Sequence, residues 1–122
     1  MPQPQNRQEK SSEVPDDIRQ RVIADFGPEA ADDVYGYLLS RIPEGLPNGT
    51  RPRHLRCILY LAKGDKARLD RFIAMCLQDT RDVMLSAEYE TDSHSRLVRK
   101  RDFSQPFDQA EMHGGESEPG HG

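Results

Sequence analysis

The sequence predicts an all-α fold of two helical hairpins plus a fifth helix, arranged as a small bundle or a short stack like those of helical-repeat proteins. Between about residues 15 and 90, apolar residues recur with a period near 3.6, which is typical of helices that bury one face. Proline or aspartate stands near the start of each periodic stretch, and glycine or proline follows the first three. Corners at residues 27–28 and 64–65 separate the members of each hairpin.

The first hairpin follows from its start and stop signals. A helix is predicted over about residues 15–26, where a leading proline, Asp16 and Asp17 suit the positive end of the helix dipole. Gly27 ends that helix, and a second helix runs over about residues 28–41. The inward faces are predicted to carry Ile18, Val22, Ile23 and Phe26 in the first helix, and Val34, Tyr35, Leu38 and Leu39 in the second.

Residues 42–52, IPEGLPNGTRP, are predicted to form a loop, because three prolines and two glycines lie within this short stretch. The pair Asn48-Gly49 is typical of a β-hairpin turn, but no alternating apolar strands flank it. We therefore predict no β-hairpin at this position.

The second hairpin and the fifth helix are predicted from their caps. The third helix begins near Pro52 with Thr50 as a candidate cap, and Gly64 ends it. Asp65 caps the fourth helix, which runs to about residue 78, and Asp79 caps the fifth. The inward residues are predicted to be Leu55, Ile58, Leu59 and Ala62, then Leu69, Phe72, Ile73, Cys76 and Leu77, then Val83, Met84, Ala87 and Tyr89.

The stretch RCILYLAKGD, followed by LDRFIAMCLQDTRDVMLSAEYE, carries a resemblance to known proteins. It resembles a small family of uncharacterised helical proteins from bacteria. The resemblance implies a helical hairpin fold and implies no activity and no functional residue.

The uneven distribution of apolar residues predicts one domain between two tails. We expect residues 1–13 to be a disordered tail, residues 14–92 to be the helical domain, and residues 93–122 to be a disordered or partner-docking tail. In the second tail, Leu97-Val98 and the pair Phe103 and Phe107 flank a basic triplet. Phe103 and Phe107 are therefore candidates for docking on the domain or on a partner.

The charges are separated along the chain although the net charge is only −4. Residues 13–44 hold eight acidic and three basic side chains, whereas residues 51–71 hold seven basic and two acidic ones. Such separation either steers a charged partner or lets the two hairpins pair with each other. The candidate partner-binding residues are the bases of this second stretch, hereafter the basic block: Arg51, Arg53, Arg56, Lys63, Lys66, Arg68 and Arg71.

An acidic protein surface, or self-association of acidic against basic hairpins, is the expected partner of the basic block. Arginine predominates in it and forms bidentate pairs with carboxylates as well as phosphates. Nucleic acid is an expected but weak alternative, because the protein is acidic overall and Tyr60 is the only aromatic residue within the block available for stacking. No apolar run is long enough to span a membrane, so we expect no membrane partner.

Residues with catalytic or metal-binding chemistry do not form a recognisable motif. The histidines and cysteines lack the close paired spacing of a structural zinc site, and we expect no metal and no cofactor. Cys57 and Cys76 lie on or beside apolar helical stripes and are predicted to be buried thiols. His54 precedes Cys57 by three positions, which is the only enzyme-like geometry, and we expect that histidine on the surface.

The sequence thus predicts a non-enzymatic protein-interaction or regulatory module of the cytoplasm, where no catalytic residue is expected. The cytoplasmic location rests on an N-terminal segment without an apolar signal region. The alternatives are a nucleic-acid-associated regulator that uses the basic block and a small enzyme that uses His54 and Cys57. The cluster of Asp79, Arg81 and Asp82 is either a helix cap alone or part of a ligand site.

Overall fold

The described part of the protein is all-α apart from one small two-stranded sheet. A computed structural model describes residues 14–110, and the predicted tails at residues 1–13 and 111–122 lie outside that range. The elements, in chain order, are α1 (Asp16–Phe26), α2 (Pro28–Arg41), α3 (Arg51–Ala62), α4 (Lys66–Gln78), α5 (Thr80–Glu88), β1 (Tyr89–Thr91) and β2 (Leu97–Arg99). Within residues 14–110, no helix combines the length and the apolar character needed to cross a membrane.

Three side-chain caps fix where the later helices begin, as predicted. The Thr50 hydroxyl accepts a hydrogen bond from the Arg53 amide, and the Asp65 carboxylate accepts from the amides of residues 67 and 68. The Asp79 carboxylate accepts from the Arg81 amide at 3.0 Å. Each cap satisfies an N–H group that the first turn of a helix leaves without a partner.

The corner between α3 and α4 requires glycine. Gly64 has φ +78°, and a Cβ atom there would lie 2.9 Å from the carbonyl oxygen of Asp25, near the end of α1. The backbone of α1 therefore approaches the second hairpin more closely than any side chain at this position would allow.

The third helix is the centre of the core. α3 contacts α1, α4 and α5, and every residue from His54 to Leu59 is buried. Ile58, Leu59, Leu69 and Ile73 are buried as predicted, but Phe72 is only partly buried against the core. Leu77, which we predicted to face inward, is 41% exposed.

A β-hairpin follows α5 directly, where the sequence predicted a helix end and a tail. β1 and β2 are antiparallel, with Tyr89 opposite Arg99 and Thr91 opposite Leu97. Because side chains alternate along a strand, these four residues share one face of the hairpin. The loop between the strands is held by Asp92, whose carboxylate accepts hydrogen bonds from the amides of residues 94 and 96.

The folded unit extends to residue 110, beyond the predicted boundary at residue 92. Phe103 is completely buried, Phe107 is 8% exposed and Ala110 is completely buried. The Phe103 ring packs against Tyr60 of α3 and against Phe107, with ring centroids 5.2 and 5.7 Å apart. The two candidate docking residues therefore dock on their own domain. The few apolar residues of this stretch are concentrated where it contacts α3.

Candidate partner-binding surface

Three arginines of the basic block donate hydrogen bonds to groups of the same chain, and one of them, Arg56, is buried. As candidate partner-binding residues, the bases of this block should be accessible to a partner, but Arg56 is only 3% exposed. Arg51 donates hydrogen bonds to the carbonyl oxygens of Leu39 and Ile42, both at 2.9 Å, and so ties the interhelical loop to α2. Arg51 and Arg56 also contact Glu44 and Asp17, two acids of residues 13–44, so the charge separation of the sequence serves internal pairing at these two positions.

Arg53 pairs with a completely buried carboxylate, that of Glu88 at the end of α5. The Arg53 Nε and Nη2 atoms lie 2.9 and 2.6 Å from the two carboxylate oxygens. Arg99 donates to the same carboxylate at 3.2 Å, and the Phe103 amide donates at 3.0 Å. Each oxygen of Glu88 therefore accepts two hydrogen bonds, which offsets the cost of burying the charge.

Arg56 forms a second pair of the same kind with Asp17 of α1. Its Nε and Nη2 atoms each lie 2.9 Å from a different Asp17 oxygen, and the Phe107 amide donates to this carboxylate at 3.1 Å. Burial alone would raise the pKa of Asp17, but these hydrogen bonds, with the charge of Arg56, lower it below its ordinary value. The Arg56 Nη1 atom donates to the carbonyl oxygen of Phe103 at 3.0 Å. One turn of α3 therefore holds α1, α5 and the C-terminal segment together.

The rest of the basic block lies on the outer surface. Lys66 lies 3.4 Å from Asp70 and packs over the ring of Tyr37. Lys63 packs over Tyr60, Arg71 lies over Phe72, and Arg68 is exposed. These four bases are exposed, so the accessible part of the basic block lies on α4 and the turn that precedes it.

A groove between α3, α5 and the start of β1 was not predicted from the sequence. It has a volume of about 200 Å³ and is lined by Arg53, Arg81, Met84, Leu85, Glu88 and Tyr89. Leu85 is 44% exposed at its wall, and Leu97 on the hairpin is 60% exposed. Leu97 is the diagonal cross-strand neighbour of Tyr89 on the same face, so it extends the apolar surface of the groove. Hereafter this surface is the α5–hairpin face.

The cluster at Asp79 contributes to this face as well as capping the helix. The Asp79 carboxylate is engaged by the Arg81 amide, and its Oδ1 atom lies 3.6 Å from Arg81 Nε. The Arg81 side chain is 70% exposed and reaches the groove lining. Asp82 is exposed in the first turn of α5, as a residue that favours the positive helix end.

His54 and Cys57 do not have the environment of an activated thiolate. His54 is completely buried, contrary to our prediction of a surface position, and its Nε2 atom lies 3.2 Å from the Asn48 carbonyl oxygen. Its Nδ1 atom is buried and has no hydrogen-bond partner among residues 14–110, and burial lowers the pKa of His54. Burial also raises the pKa of Cys57 well above its ordinary value and that of Cys76 to about 11. Both cysteines are buried free thiols, as predicted.

Within residues 14–110, no group of three or more histidine, cysteine, aspartate or glutamate side chains is placed to hold a metal ion. His113 and His121 lie outside the described residues. Comparisons with protein-family models, with curated proteins and with solved structures gave no match. The α5–hairpin face must therefore be interpreted from its own geometry and charge.

Proposed function

We propose that the chain is a non-enzymatic protein-interaction module and that its binding surface is the α5–hairpin face. The observation that carries the proposal is the groove of about 200 Å³ with Met84, Leu85 and Tyr89 on its walls. Single exposed leucines are common on protein surfaces, but apolar residues gathered around a concave site are typical of interaction surfaces. Leu97 enlarges this apolar area because it lies on the same face of the hairpin as Tyr89.

The exposed leucines would contribute to binding by the ordinary hydrophobic effect. Complete burial of a leucine side chain stabilises a complex by about 1.5–3 kcal/mol. Because Leu85 and Leu97 are 44% and 60% exposed, a partner that covers both gains roughly half of that at each position. That gain is enough to make these two positions the sensitive ones in a binding measurement.

The geometry supports a protein partner more than a nucleic acid. Arg51, Arg53 and Arg56 each donate to groups of the same chain, so they offer fewer contacts to phosphates than the sequence indicated. Lys66 shares its charge with Asp70. Within the basic block, a nucleic acid would be left with the outer bases of α4 and its preceding turn, which is a short electrostatic footprint. The cytoplasmic location stays a prediction from the sequence.

Photo-crosslinking in the native host tests the proposal. A photoreactive amino acid placed at Leu85 or Leu97 should give the same protein adduct, whereas the exposed Asp33 of α2 is the matched control position and should give none. The adduct is identified by mass spectrometry, and its affinity for the purified full chain is measured. Leu97→Asp should weaken that affinity at least about tenfold.

Two results would contradict the proposal. Adducts that form equally from Asp33, or an identified partner whose affinity does not respond to Leu97→Asp, would show that the α5–hairpin face is not the binding surface. Adducts composed of nucleic acid would favour the nucleic-acid alternative. Circular dichroism of each variant should match the unsubstituted chain, since both leucines are largely outside the core.

A further inference from the structure

Resting on the proposed function, we infer that the partner of the α5–hairpin face is an acidic peptide segment. Such a segment would place one apolar side chain in the groove and set a carboxylate on Arg53 and Arg81. The inference depends on which hydrogen-bond donors of these two arginines the protein itself leaves open, on the size of the groove and on the charge of its lining.

Arg53 presents one end of its guanidinium group in a fixed orientation. Its Nε and Nη2 atoms are held by Glu88, whereas Nη1 has no hydrogen-bond partner among residues 14–110. The side chain is 22% exposed and lines the groove. Because the bidentate pair with a buried carboxylate fixes the group, its free N–H donors are oriented before any partner arrives.

Arg81 supplies a second, more exposed cation on the same groove. Its side chain is 70% exposed, and its nearest carboxylate contact, to Asp79, is 3.6 Å long. Glu88 also lines the groove, but four donors already saturate its two oxygens. With two arginines and one glutamate, the lining has a net charge of +1, which suits a single added carboxylate.

Removal of water from the Arg53 guanidinium group makes a carboxylate on the partner necessary for binding. A partner that covers Met84 and Leu85 also covers the free donors of Arg53, because all three residues line one groove. Leaving charged donors buried without an acceptor would oppose binding. A carboxylate satisfies them best, since its two oxygens match the planar guanidinium geometry.

The groove has room for one side chain and not for a large cofactor. Its volume of about 200 Å³ is below the roughly 300–1,000 Å³ of clefts that enclose drug-sized ligands. Leu97 lies outside the groove but on the same face, so an occupant that also covers it must continue beyond the groove as a chain. These features together describe a peptide segment with an apolar anchor next to an acidic residue.

Selection from a displayed peptide library tests the inference. Random peptides of about twelve residues are selected on the full chain and counter-selected on the Leu85→Asp variant. Enriched peptides should carry leucine, methionine or an aromatic residue next to aspartate or glutamate. One enriched peptide is then synthesised, and its Kd is measured by isothermal titration calorimetry.

Arginine variants then separate the carboxylate contact from the apolar one. Arg81→Glu should weaken binding of the synthetic peptide at least about tenfold, whereas Arg68→Glu, a change at an exposed arginine of α4, should leave it within about twofold. Binding should also weaken as the salt concentration rises from about 0.05 to 0.5 M. If Leu85→Asp alters the circular dichroism spectrum, Leu85→Ser replaces it.

The possible outcomes distinguish this inference from the proposed function. Peptides that require Leu85 but carry basic or uncharged residues, or that tolerate Arg81→Glu, would overturn the inference and leave the proposed function standing. The absence of any enriched peptide that requires Leu85 would overturn the inference, whereas the crosslinking results at Leu85 and Leu97 decide the proposed function separately. A dimer of the full chain that Leu85→Asp dissociates would show that a second copy occupies the face, and the acidic peptide would then be excluded.

Discussion

Replacing Phe103 by alanine tests whether the chain beyond residue 92 is part of the folded core. The ring is completely buried and touches the rings of Tyr60 and Phe107. Truncation of a fully buried phenylalanine costs about 3–5 kcal/mol. A domain of this size has a free energy of unfolding of about 5–15 kcal/mol. We therefore expect Phe103→Ala to remove a large share of the stability and to lower Tm by at least about 12 °C.

Urea denaturation followed by circular dichroism measures this loss. The midpoint should fall while the slope with denaturant stays the same, because the surface exposed on unfolding changes little. Leu97→Ala is the matched control, since Leu97 lies in the same segment but is 60% exposed, and it should change stability by no more than about 0.5 kcal/mol. A loss below about 1 kcal/mol for Phe103→Ala would refute the packing described above, and the segment would then behave as the tail that the sequence predicted.

The buried polar groups lead to three further predictions. Asp17→Asn leaves Arg56 buried without its charge partner and should cost about 3 kcal/mol. Because the pKa of Asp17 is lowered, the carboxylate stabilises the fold at neutral pH, and this contribution is lost as pH falls below about 4. In an acid titration of unfolding, Asp17→Asn should therefore lose less stability than the unsubstituted chain. Burial lowers the pKa of His54, so near pH 6.5 the unfolded chain binds more protons than the folded one, and the free energy of unfolding should fall as pH drops below about 6.5. His54→Gln should reduce this pH dependence between about pH 7.5 and 5.5. Cys57 and Cys76 should react slowly with iodoacetamide in the native protein and rapidly in urea.

Exposed residues of the same types serve as controls for these measurements. Asp16→Asn should be nearly neutral, because Asp16 is exposed. His94→Gln should leave the free energy of unfolding at neutral pH nearly unchanged, because His94 lies in the exposed loop of the hairpin. A Cys57 thiol that reacts in the native protein as fast as in urea would contradict its burial and would restore the enzyme alternative, whereas a fast reaction at Cys76 would contradict only the burial of Cys76.

Helix positions were predictable because the signals for them are local. The cap residues Thr50, Asp65 and Asp79 act within three positions of themselves, and the stop at Gly64 depends on one backbone conformation. The short hairpin was missed because β1 and β2 have three residues each, too few for an alternating pattern to stand out.

The ion pairs of Arg53 and Arg56 and the groove could not be predicted, because they depend on residues that are distant in the sequence. Arg53 and Arg56 look like surface residues in the sequence, yet their carboxylate partners are 35 and 39 positions away. Phe103 lies in a polar stretch, and its burial depends on residues of α3 and α5. The sequence contains one indication of the groove. Leu85 is apolar although it lies on a side of α5 where the helical period predicts a polar residue.

The two ion pairs of α3, Arg53 with Glu88 and Arg56 with Asp17, make the order in which the chain is synthesised matter for folding. Glu88 and Asp17, the partners of Arg53 and Arg56, reach their complete sets of hydrogen-bond donors only when the amides of Phe103 and Phe107 are present. A nascent chain that has emerged only as far as β2 therefore holds two carboxylates with open acceptor sites and an uncovered apolar surface on α3. On the ribosome, the core of the domain therefore closes only after residues 103–110 have been synthesised and have reached α3.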